Sequence, residues 1–221
     1  MYSVGIIGGG GYTAGELIRI LQWHPLVEID FVYSQSQAGK PVYAVHEDLA
    51  GESELVFTGT FRTDVDVLFL CSGHGKSKAW IAAHDIPTDT LVIDLSNDFR
   101  LDGSFVYGLP ELNREAIRSH KRVANPGCFA TAIQLGLLPA AKAGLLGSEV
   151  HVHAITGSTG AGQAPTATTH FSWRSNNLSI YKAFSHQHLD EINRSLVQLQ
   201  PAQATEVVFY LCGGILPGDF C

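Results

Sequence analysis

A run of four glycines near the N-terminus, Gly8 to Gly11, constrains the possible folds of this chain more than any other feature. The run follows a short apolar stretch with β-branched residues, Ser3 to Ile7, and precedes a segment with helically spaced apolar residues, Tyr12 to Trp23. Pro25 ends that segment, and residues 28–34 form the next strand-like stretch. The order of strand, glycine turn, helix and strand is a βαβ unit, which predicts a parallel sheet covered by helices.

The glycine turn carries the spacing of a dinucleotide-binding fingerprint in two possible registers. Gly8, Gly11 and Ala14 fit one register, and Gly9, Gly11 and Ala14 fit the other. Glycine allows the main chain to approach a pyrophosphate, and a small residue at position 14 allows the helix to pack on the strand. The free N–H groups at the start of the helix would then face the phosphates. We therefore predict a dinucleotide site; the alternative is a glycine-rich turn without a ligand.

The end of the second strand indicates which dinucleotide is bound. NAD sites usually place an acidic residue there to hold the ribose 2′-hydroxyl. Here the strand ends with Ser34 and Ser36, and Lys40 follows shortly after, whereas Asp30 lies in the middle of the strand. Because hydroxyl groups next to a cation suit a 2′-phosphate, we predict NADP as the cofactor. The alternative is an ordinary polar loop.

Two further stretches, Val65 to Cys71 and Thr90 to Leu95, are almost continuously apolar, as expected of buried parallel strands. Loops at the carboxyl ends of such strands line the ligand crevice of a doubly wound sheet. The first loop contains Gly73 and His74, for which we predict contact with the cofactor. The second loop leads to Arg100, for which we predict contact with an anionic group of the substrate. A surface salt bridge is the alternative for this arginine.

The stretch from Asn125 to Thr131 places a single cysteine, Cys128, between a Pro-Gly turn and an apolar, helix-compatible segment, Thr131 to Ala141. A thiol in the first turn of a helix meets unpaired N–H groups and the positive end of the macrodipole. Both favour the thiolate, which is the nucleophilic form. We therefore predict a nucleophile, with a small buried hydrophobic residue as the alternative.

We place a domain boundary near Pro126, giving domains 1–126 and 127–221, because the helix after the cysteine then bridges the two halves of the chain. Residues Glu149 to Thr156 alternate, which predicts a strand of an antiparallel sheet. The glycine-rich loop 157–162 lacks the signature of a P-loop and suits close contact with a ligand; a flexible surface loop is the alternative. The predicted fold class is α/β: a Rossmann-type doubly wound parallel sheet, followed by an α+β domain with a mixed or antiparallel sheet.

Two histidines, His186 and His188, precede a helical pattern whose first turn contains Glu191. Beside a thiolate, a histidine acts as a general acid or base, and this is the role that we predict. Histidines one residue apart also suit zinc, but a third ligand is needed, and only His151 and His153 offer themselves. We therefore predict no metal.

The composition restricts the classes of function. The chain has 221 residues, of which 45% are hydrophobic and 16% charged, and its net charge of −7 argues against a nucleic-acid surface. The first residues lack the basic region of a signal peptide, and no apolar run reaches about 18 residues, so we expect no membrane partner. The four cysteines (Cys71, Cys128, Cys212 and Cys221) lack C-x-x-C spacing, which is typical of free thiols in a cytoplasmic protein.

Together these motifs resemble the N-acetyl-γ-glutamyl-phosphate reductases, NADPH-dependent enzymes of arginine biosynthesis. The combination of an Asp-Leu-Ser-Asn-Asp-Phe-Arg motif with an Asn-Pro-Gly-Cys motif is specific, and all the matching segments occur in the order of the family. These segments are Gly8 to Glu16, Ser34 to Pro41, Asp94 to Arg100, Tyr107 to Glu111, Asn125 to Cys128, Gly157 to Gly162 and His186 to Glu191.

The resemblance implies a reaction in which a cysteine thiolate attacks an acyl phosphate and releases phosphate. The resulting thioester is then reduced by NADPH to the semialdehyde. Carried over by matching motif, Cys128 is the nucleophile, and His186 or His188 is the acid or base, with Glu191 orienting it. The choice between the two histidines stays open.

The resemblance also implies how the ligands are held. Arg100 and Asn125 would contact a small acyl-phosphate substrate, whose amine cap (N-acetyl or N-succinyl) the sequence leaves open. We expect a homo-oligomer, dimer or tetramer, for the full-length protein. The residues expected to form the NADP site are Gly8, Gly11, Tyr12, Thr13, Ala14, Ser34, Ser36, Gly73, His74, Ser158, Thr159 and Gly160.

The chain departs from the family pattern in three places. The loop after Cys71 reads Gly-His-Gly where Pro-His-Gly is usual, and the first helix starts with Ala14-Gly15 where Gly-Ala is usual. The chain is also shorter than the family members, so we expect a C-terminal truncation and an incomplete second domain. The rival interpretations are a related dehydrogenase acting on aspartyl or glyceraldehyde phosphate, and an NADP-binding fragment without activity.

Overall fold

The computed structural model describes residues 1–214 and divides the chain into two compact units, Met1–Pro126 and Gly127–Cys221. Cys221 and the end of the tail lie outside the described residues. Within residues 1–214, the helices are all too short or too polar to cross a membrane.

The first unit is built on a seven-stranded sheet in which every neighbouring pair of strands is parallel. The chain begins in the middle of the sheet and extends first to one side and then to the other. This doubly wound arrangement confirms the predicted α/β class. The strands are β1 (Tyr2–Ile7), β2 (Val27–Tyr33), β3 (Phe57–Thr58), β4 (Val67–Leu70), β5 (Leu91–Asp94), β6 (Val106–Tyr107) and β7 (Arg122–Ala124), in the spatial order β3-β2-β1-β4-β5-β7-β6.

Three helices connect these strands: α1 (Tyr12–Leu21), α2 (Ser77–Ala82) and α3 (Pro110–Ser119). The segment between β2 and β3, predicted as a loop, contains two short 3₁₀ turns, Val42–Ala44 and Glu47–Leu49. Helix α3 begins three residues before the predicted start at Asn113. Proline fits the first helical position because its missing N–H has no helical acceptor there, and Asn113 then kinks the helix with a non-helical backbone (φ −126°, ψ 26°).

The hydrophobic core of the first unit lies on both faces of the sheet. On one face Val4 and Ile6 of β1 pack with Ile18 of α1. On the other face Ile7 belongs to a second cluster with Leu68, because successive side chains of a strand point to opposite faces. Each fully buried aliphatic side chain stabilises the fold by about 1.5–3 kcal/mol. The carboxyl end of β1, and with it the glycine turn, is therefore fixed from both sides.

The second unit is described up to Gly214 and contains a three-stranded mixed sheet, as the predicted fold class allows. Its elements are α4 (Cys128–Lys142), β8 (Glu149–Thr156), α5 (Phe171–Arg174), β9 (Leu178–Ile180), α6 (His188–Leu199) and β10 (Glu206–Gly214), and the strand order is β8-β10-β9.

The prediction that residues 149–156 belong to an antiparallel pairing is wrong. The bounds of β8 agree with the prediction, but β8 pairs in parallel with β10, and only β9 runs antiparallel to β10. Parallel strands need a long crossover, and the chain between β8 and β10 supplies one that includes α6. An alternating pattern shows that a strand has two different faces, but it does not show the direction of the neighbouring strand.

Candidate active site

The glycine turn that follows β1 is shaped by its neighbours in the sheet. Gly8 has a φ of +85°, and a β-carbon at this position would overlap the main chain of Cys71 and Ser72. Only glycine fits such a position. The N–H groups of Gly8 and Gly9 both donate to the carbonyl of Tyr33, at 3.0 and 2.9 Å. The turn is thus anchored to the end of β2, where the cofactor-discriminating residues were predicted.

The start of α1 offers main-chain donors at its first turn. The N–H groups of Ala14 and Gly15 donate to the Gly11 carbonyl, and Gly11 itself provides no side-chain cap. Tyr12 and Thr13 are exposed, and a β-carbon on Gly11 would meet no protein atom within 4 Å. The protein alone therefore does not demand glycine at position 11, whereas a phosphate lying against a helix N-terminus would.

Ser34 and Ser36 follow β2 directly. Ser34 is buried, and its Oγ lies 3.5 Å from where a β-carbon of Gly10 would stand, so this hydroxyl borders the glycine turn. Ser36 is exposed, and Lys40 donates to the Gln37 side chain at 3.0 Å. Asp30, the acid in mid-strand, is occupied by an ion pair with Arg62, at 2.9 Å.

The loop after β4 is held by the loop after β5. Gly73 has a φ of +88° and, like His74, is exposed. The His74 Nδ1 accepts from the Asn97 N–H at 3.1 Å, and the Asp98 carboxylate accepts from the N–H groups of Gly75 (2.6 Å) and Lys78 (3.1 Å). Partial burial acts to raise the pKa of Asp98, but these N–H donors outweigh it and leave the pKa below its usual value. The charged carboxylate thus stabilises the loop predicted to contact the cofactor.

Arg100 and Asn125 are joined through the main chain. Arg100 is 6% exposed, and its Nε donates to the Asn125 carbonyl at 2.9 Å. The Asn125 N–H in turn donates to the Asp94 carbonyl at 2.8 Å, and the Asn125 side chain is exposed. The guanidinium therefore lies buried and donates to main-chain carbonyls. Its contact with an anionic group of the substrate stays a prediction.

Cys128 is the first residue of α4, and Gly127 is its N-cap. The helix begins three residues earlier than the predicted start at Thr131, so the thiol lies in the first turn, as the nucleophile hypothesis requires. The cysteine is exposed. A thiolate here would interact favourably with the helix dipole and the unpaired N–H groups of the first turn.

Glu191 contacts the residue before the cysteine. Its Oε2 accepts a hydrogen bond from the Gly127 N–H at 3.1 Å, and its Oε1 lies 3.8 Å from the His188 Nε2. Glu191 is 3% exposed, and burial of a polar side chain is costly unless hydrogen bonds compensate for the lost water. Glu191 therefore holds the Cys128 turn as well as lying beside an imidazole.

His186 and His188 lie side by side and buried, with ring centroids 4.4 Å apart. The Nδ1 of His186 accepts from the His188 N–H at 3.2 Å, which places the proton of the neutral His186 ring on Nε2. Burial, with a smaller contribution from the charge of Lys182, lowers the pKa of His186. A β-carbon on Gly127 would overlap the His188 ring, so the glycine before Cys128 allows this histidine to lie against the main chain there.

Sequence reasoning missed Tyr181 as a neighbour of this group. Its ring contacts the His186 ring at a centroid distance of 6.3 Å. Burial and the charge of Cys128 raise the pKa of Tyr181, while the charge of Arg174 opposes the increase. The only signal in the sequence is that this tyrosine lies five residues before His186.

The remaining candidates of the second unit lie on β8 and just after it. Ser158, Thr159 and Gly160 form most of a 3₁₀ turn, 158–161, in which Thr159 and Gly160 are exposed. His151 and His153 are exposed and stack on Tyr210, with centroid distances of 6.1 and 4.7 Å. Over residues 1–214, His, Cys, Asp and Glu side chains form no group of three or more that could hold a metal ion.

Comparison with known proteins places the chain in a family. The family model "Semialdehyde dehydrogenase, NAD binding domain" matches residues 3–120, and "Semialdehyde dehydrogenase, dimerisation domain" matches residues 128–212. The chain is 55% identical over 224 residues to the N-acetyl-gamma-glutamyl-phosphate reductase of Flavobacterium johnsoniae, covering 98% of this chain and 69% of that protein. The chain belongs to the N-acetyl-γ-glutamyl-phosphate reductase family of semialdehyde dehydrogenases.

Further relatives carry the same name. Identity to the N-acetyl-gamma-glutamyl-phosphate reductase of Phocaeicola vulgatus is 57% over 221 residues, covering 98% of this chain and 69% of that protein. Identity to that of Azobacteroides pseudotrichonymphae is 60% over 200 residues, covering 89% and 63%. The predicted resemblance is confirmed, and the chain spans about two thirds of the length of these reductases.

Solved structures of the wider family share the fold. Aspartate semialdehyde dehydrogenase II of Vibrio cholerae, complexed with ASA, matches 97% of this chain and 70% of its own length with a TM-score of 0.73 at 19% identity. Aspartate semialdehyde dehydrogenase with NADP from Candida albicans matches 99% and 69% with a TM-score of 0.66 at 13% identity. These solved structures thus share the fold of this chain, a doubly wound parallel sheet followed by a second, mixed-sheet domain.

Proposed function

We propose that this chain catalyses the NADPH-dependent reduction of N-acetyl-glutamyl 5-phosphate to N-acetyl-glutamate 5-semialdehyde and phosphate, a step of arginine biosynthesis. One structural observation carries the proposal. An exposed cysteine opens α4, and the residue before it, Gly127, is held by the buried carboxylate of Glu191 and lies under the His188 ring. Identities of 55–60% to reductases of this name supply the substrate class.

The first unit would hold the cofactor. Tyr12 and Thr13 are exposed residues at the start of α1, and their main-chain N–H groups suit the pyrophosphate. Ser34, next to the glycine turn, and Ser36 and Lys40 after it suit a ribose 2′-phosphate. When bound, NADPH supplies the hydride that reduces the acyl group. We extend the cofactor role to Gly73, His74 and the turn at 158–160 only as a proposal from matching motifs.

In the first chemical step the Sγ of Cys128 attacks the acyl carbon of the substrate. The carbon–oxygen bond to the phosphoryl group breaks, phosphate leaves, and a thioester to Cys128 forms. A thioester accepts hydride more readily than a carboxylate does, which explains why the enzyme forms a covalent intermediate. After reduction, the oxygen of the hemithioacetal returns its electron pair to carbon, and the carbon–sulfur bond breaks to release the semialdehyde.

We propose that His188 is the acid and base of these steps. Its Nε2 lies beside Glu191, and its ring lies against the residue that precedes the nucleophile. This is the arrangement expected of a base oriented by a third group. His186 would instead support His188, since its Nδ1 accepts the His188 main-chain N–H.

The second unit would also provide the contact between subunits, because its matching family model is that of a dimerisation domain. We propose a homo-oligomer that acts in the cytoplasm on a small acyl phosphate. From the matching family motifs we also propose that Arg100 and Asn125 contact the substrate.

The test is a phosphate-dependent reduction of NADP with N-acetyl-glutamate 5-semialdehyde, measured at 340 nm in the reverse direction. The F. johnsoniae reductase serves as the positive control, and N-succinyl-glutamate and aspartate semialdehydes are the competing substrates. We expect the highest kcat/KM with the N-acetyl compound. A higher kcat/KM with aspartate semialdehyde would contradict the proposal, and NADP binding without turnover would favour a fragment that binds the cofactor only.

A further inference from the structure

A buried histidine of the first unit plays no part in the proposed chemistry. His46 is 5% exposed and lies between the two 3₁₀ turns that follow β2. Its Nε2 lies 2.7 Å from the carbonyl oxygen of Gly9, which is 37 residues away in sequence. Because a carbonyl oxygen can only accept, the proton must be on Nε2. Burial strengthens such a bond relative to one that is open to water.

The ring of His46 is also fixed by its packing. A β-carbon on Gly15 would overlap two of the ring atoms and crowd a third, and the centroid of the Phe57 ring lies 6.1 Å from that of His46. The first turn of α1 therefore needs a residue without a side chain at position 15. The order Ala14-Gly15, which departs from the usual Gly-Ala of the family, makes room for this histidine.

The hydrogen bond from His46 to the Gly9 carbonyl determines the direction of the Gly10 N–H group. The Gly9 carbonyl and the Gly10 N–H belong to one peptide group, and in a trans peptide these two groups point in opposite directions. Holding the oxygen toward His46 therefore turns the Gly10 N–H away from the core. In the described part of the chain the N–H groups of Gly8 and Gly9 are occupied by the Tyr33 carbonyl. The N–H groups of Gly10 and Gly11 are therefore the candidates in the glycine run for donation to a ligand.

We propose that His46 is a positioning residue of the cofactor site, which holds the Gly9–Gly10 peptide so that the Gly10 N–H donates to a phosphate of the dinucleotide. The inference rests on the proposed function, in which that dinucleotide is NADPH. His46 acts through the main chain and does not touch the cofactor itself. His46 thus stabilises the glycine turn through a hydrogen bond, although it lies outside the sequence motif of the fingerprint.

The test compares His46→Leu with His46→Gln by NADPH fluorescence titration of the 221-residue chain. Leucine fills the space but cannot donate, so we expect the Kd for NADPH to rise about tenfold, the value of one buried hydrogen bond. Glutamine keeps a donor, so we expect its Kd to stay within about threefold of the original. In turnover assays the KM for NADPH should rise in the leucine variant while kcat changes less than about twofold.

Two further variants separate positioning from general stability. Leu49→Ala removes a buried side chain from the same segment without affecting the bond to Gly9, so it should lower the melting temperature and leave the Kd unchanged. Gly15→Ala should reproduce the leucine result, because its methyl group displaces the His46 ring, and it decides the matter if His46→Leu does not fold.

The outcomes are distinguishable from those of the proposed function. If the unsubstituted chain binds no NADPH, the proposed function fails together with this inference. If the chain binds NADPH and folded His46→Leu or Gly15→Ala binds it equally well, only the role of His46 is overturned. A Leu49→Ala variant that weakens binding as much as His46→Leu would also overturn it, since loss of packing alone would then explain the effect.

Discussion

Two cysteines of this chain lie where the chain passes from a strand to a helix, one directly after its strand and one as the first residue of its helix, and their surroundings differ. Cys71 follows β4 in the first unit and is buried. Burial, together with the charge of Asp94, raises its pKa to about 12. Cys128 opens α4 in the second unit and is exposed. The first thiol stays protonated at neutral pH, whereas the second is exposed to water in the first turn of a helix.

The contrast shows that residue type and local connectivity do not determine the surroundings of a thiol. The two cysteines differ in the charged groups and dipoles that surround them. Cys71 lies near the buried Asp94, whose side chain accepts hydrogen bonds from the hydroxyls of Ser77 and Ser96. The turn before Cys128 is held by Glu191 through the Gly127 N–H, and the thiol itself lies at the positive end of a helix.

The largest expected effect comes from replacing each cysteine in turn. Cys128→Ser should reduce kcat/KM by at least about 10³-fold, because a hydroxyl ionises far less readily than a thiol and is a weaker nucleophile, while NADPH binding stays unchanged. Cys71→Ala should leave kcat/KM within about threefold and cost about 1 kcal/mol of stability for the lost buried sulfur. Steady-state kinetics and urea unfolding measure both. Equal activity losses in the two variants would remove the contrast.

Substitution of the two histidines tests which of them acts as the acid and base beside Cys128. His188→Asn should reduce kcat by about 10²–10⁴-fold, the usual contribution of a general acid or base. His186→Asn is the matched control and should lower kcat by about tenfold or less, since asparagine can still accept the His188 main-chain N–H. The reverse ranking, measured at saturating substrate, would transfer the acid–base role to His186.

Chemical labelling tests the contrast without mutation. Iodoacetamide at neutral pH should alkylate Cys128 about 100-fold faster than Cys71, because a raised pKa and burial both suppress the thiolate. Peptide mass mapping assigns each site, and addition of denaturant should make Cys71 reactive. Cys212, which is partly buried, serves as an internal reference. Alkylation of Cys71 in the folded chain at a rate similar to Cys128 would be incompatible with its burial.

The smallest effect concerns pH. The pKa of His186 is lowered by burial and by Lys182, so below its unfolded pKa of about 6.5 the unfolded chain binds more protons than the folded one. The free energy of unfolding should therefore fall as the pH drops below that value, and His186→Asn should flatten this part of the curve. Urea midpoints between pH 7.5 and 5.5 measure it. An unchanged slope in the variant would show that His186 is not the group responsible.

Local patterns in the sequence predicted the parts of the molecule that depend on neighbours along the chain. The β1–turn–α1 unit, the helix after Cys128 and the bounds of β8 all follow from spacing over about ten residues. The strands β3, β6 and β7 have two or three residues each, too few to show a period. Their place in the sheet is set by pairing with distant strands, which a local pattern does not encode.

The contacts that define the candidate site were harder to predict from the sequence. Glu191 and Gly127 are 64 residues apart, and His46 and Gly9 are 37 apart, so only the fold brings them together. Glu191 was predicted to orient a histidine, but its hydrogen bond to the Gly127 N–H could not be foreseen. Similarly, Asp98 lies in a motif that was recognised, yet its role in holding Gly75 became visible only in the structure.

The most direct test of the account is to trap the acyl group on sulfur. The chain is mixed with N-acetyl-glutamate 5-semialdehyde and NADP in the absence of phosphate, so that oxidation of the hemithioacetal yields one thioester, one NADPH and one proton but no released product. Intact-mass and peptide mass spectrometry should find one N-acetyl-glutamyl group per chain on the peptide that contains Cys128, and none in Cys128→Ser. NADPH formation without this adduct, or an adduct on Cys71 or Cys212, would contradict the account.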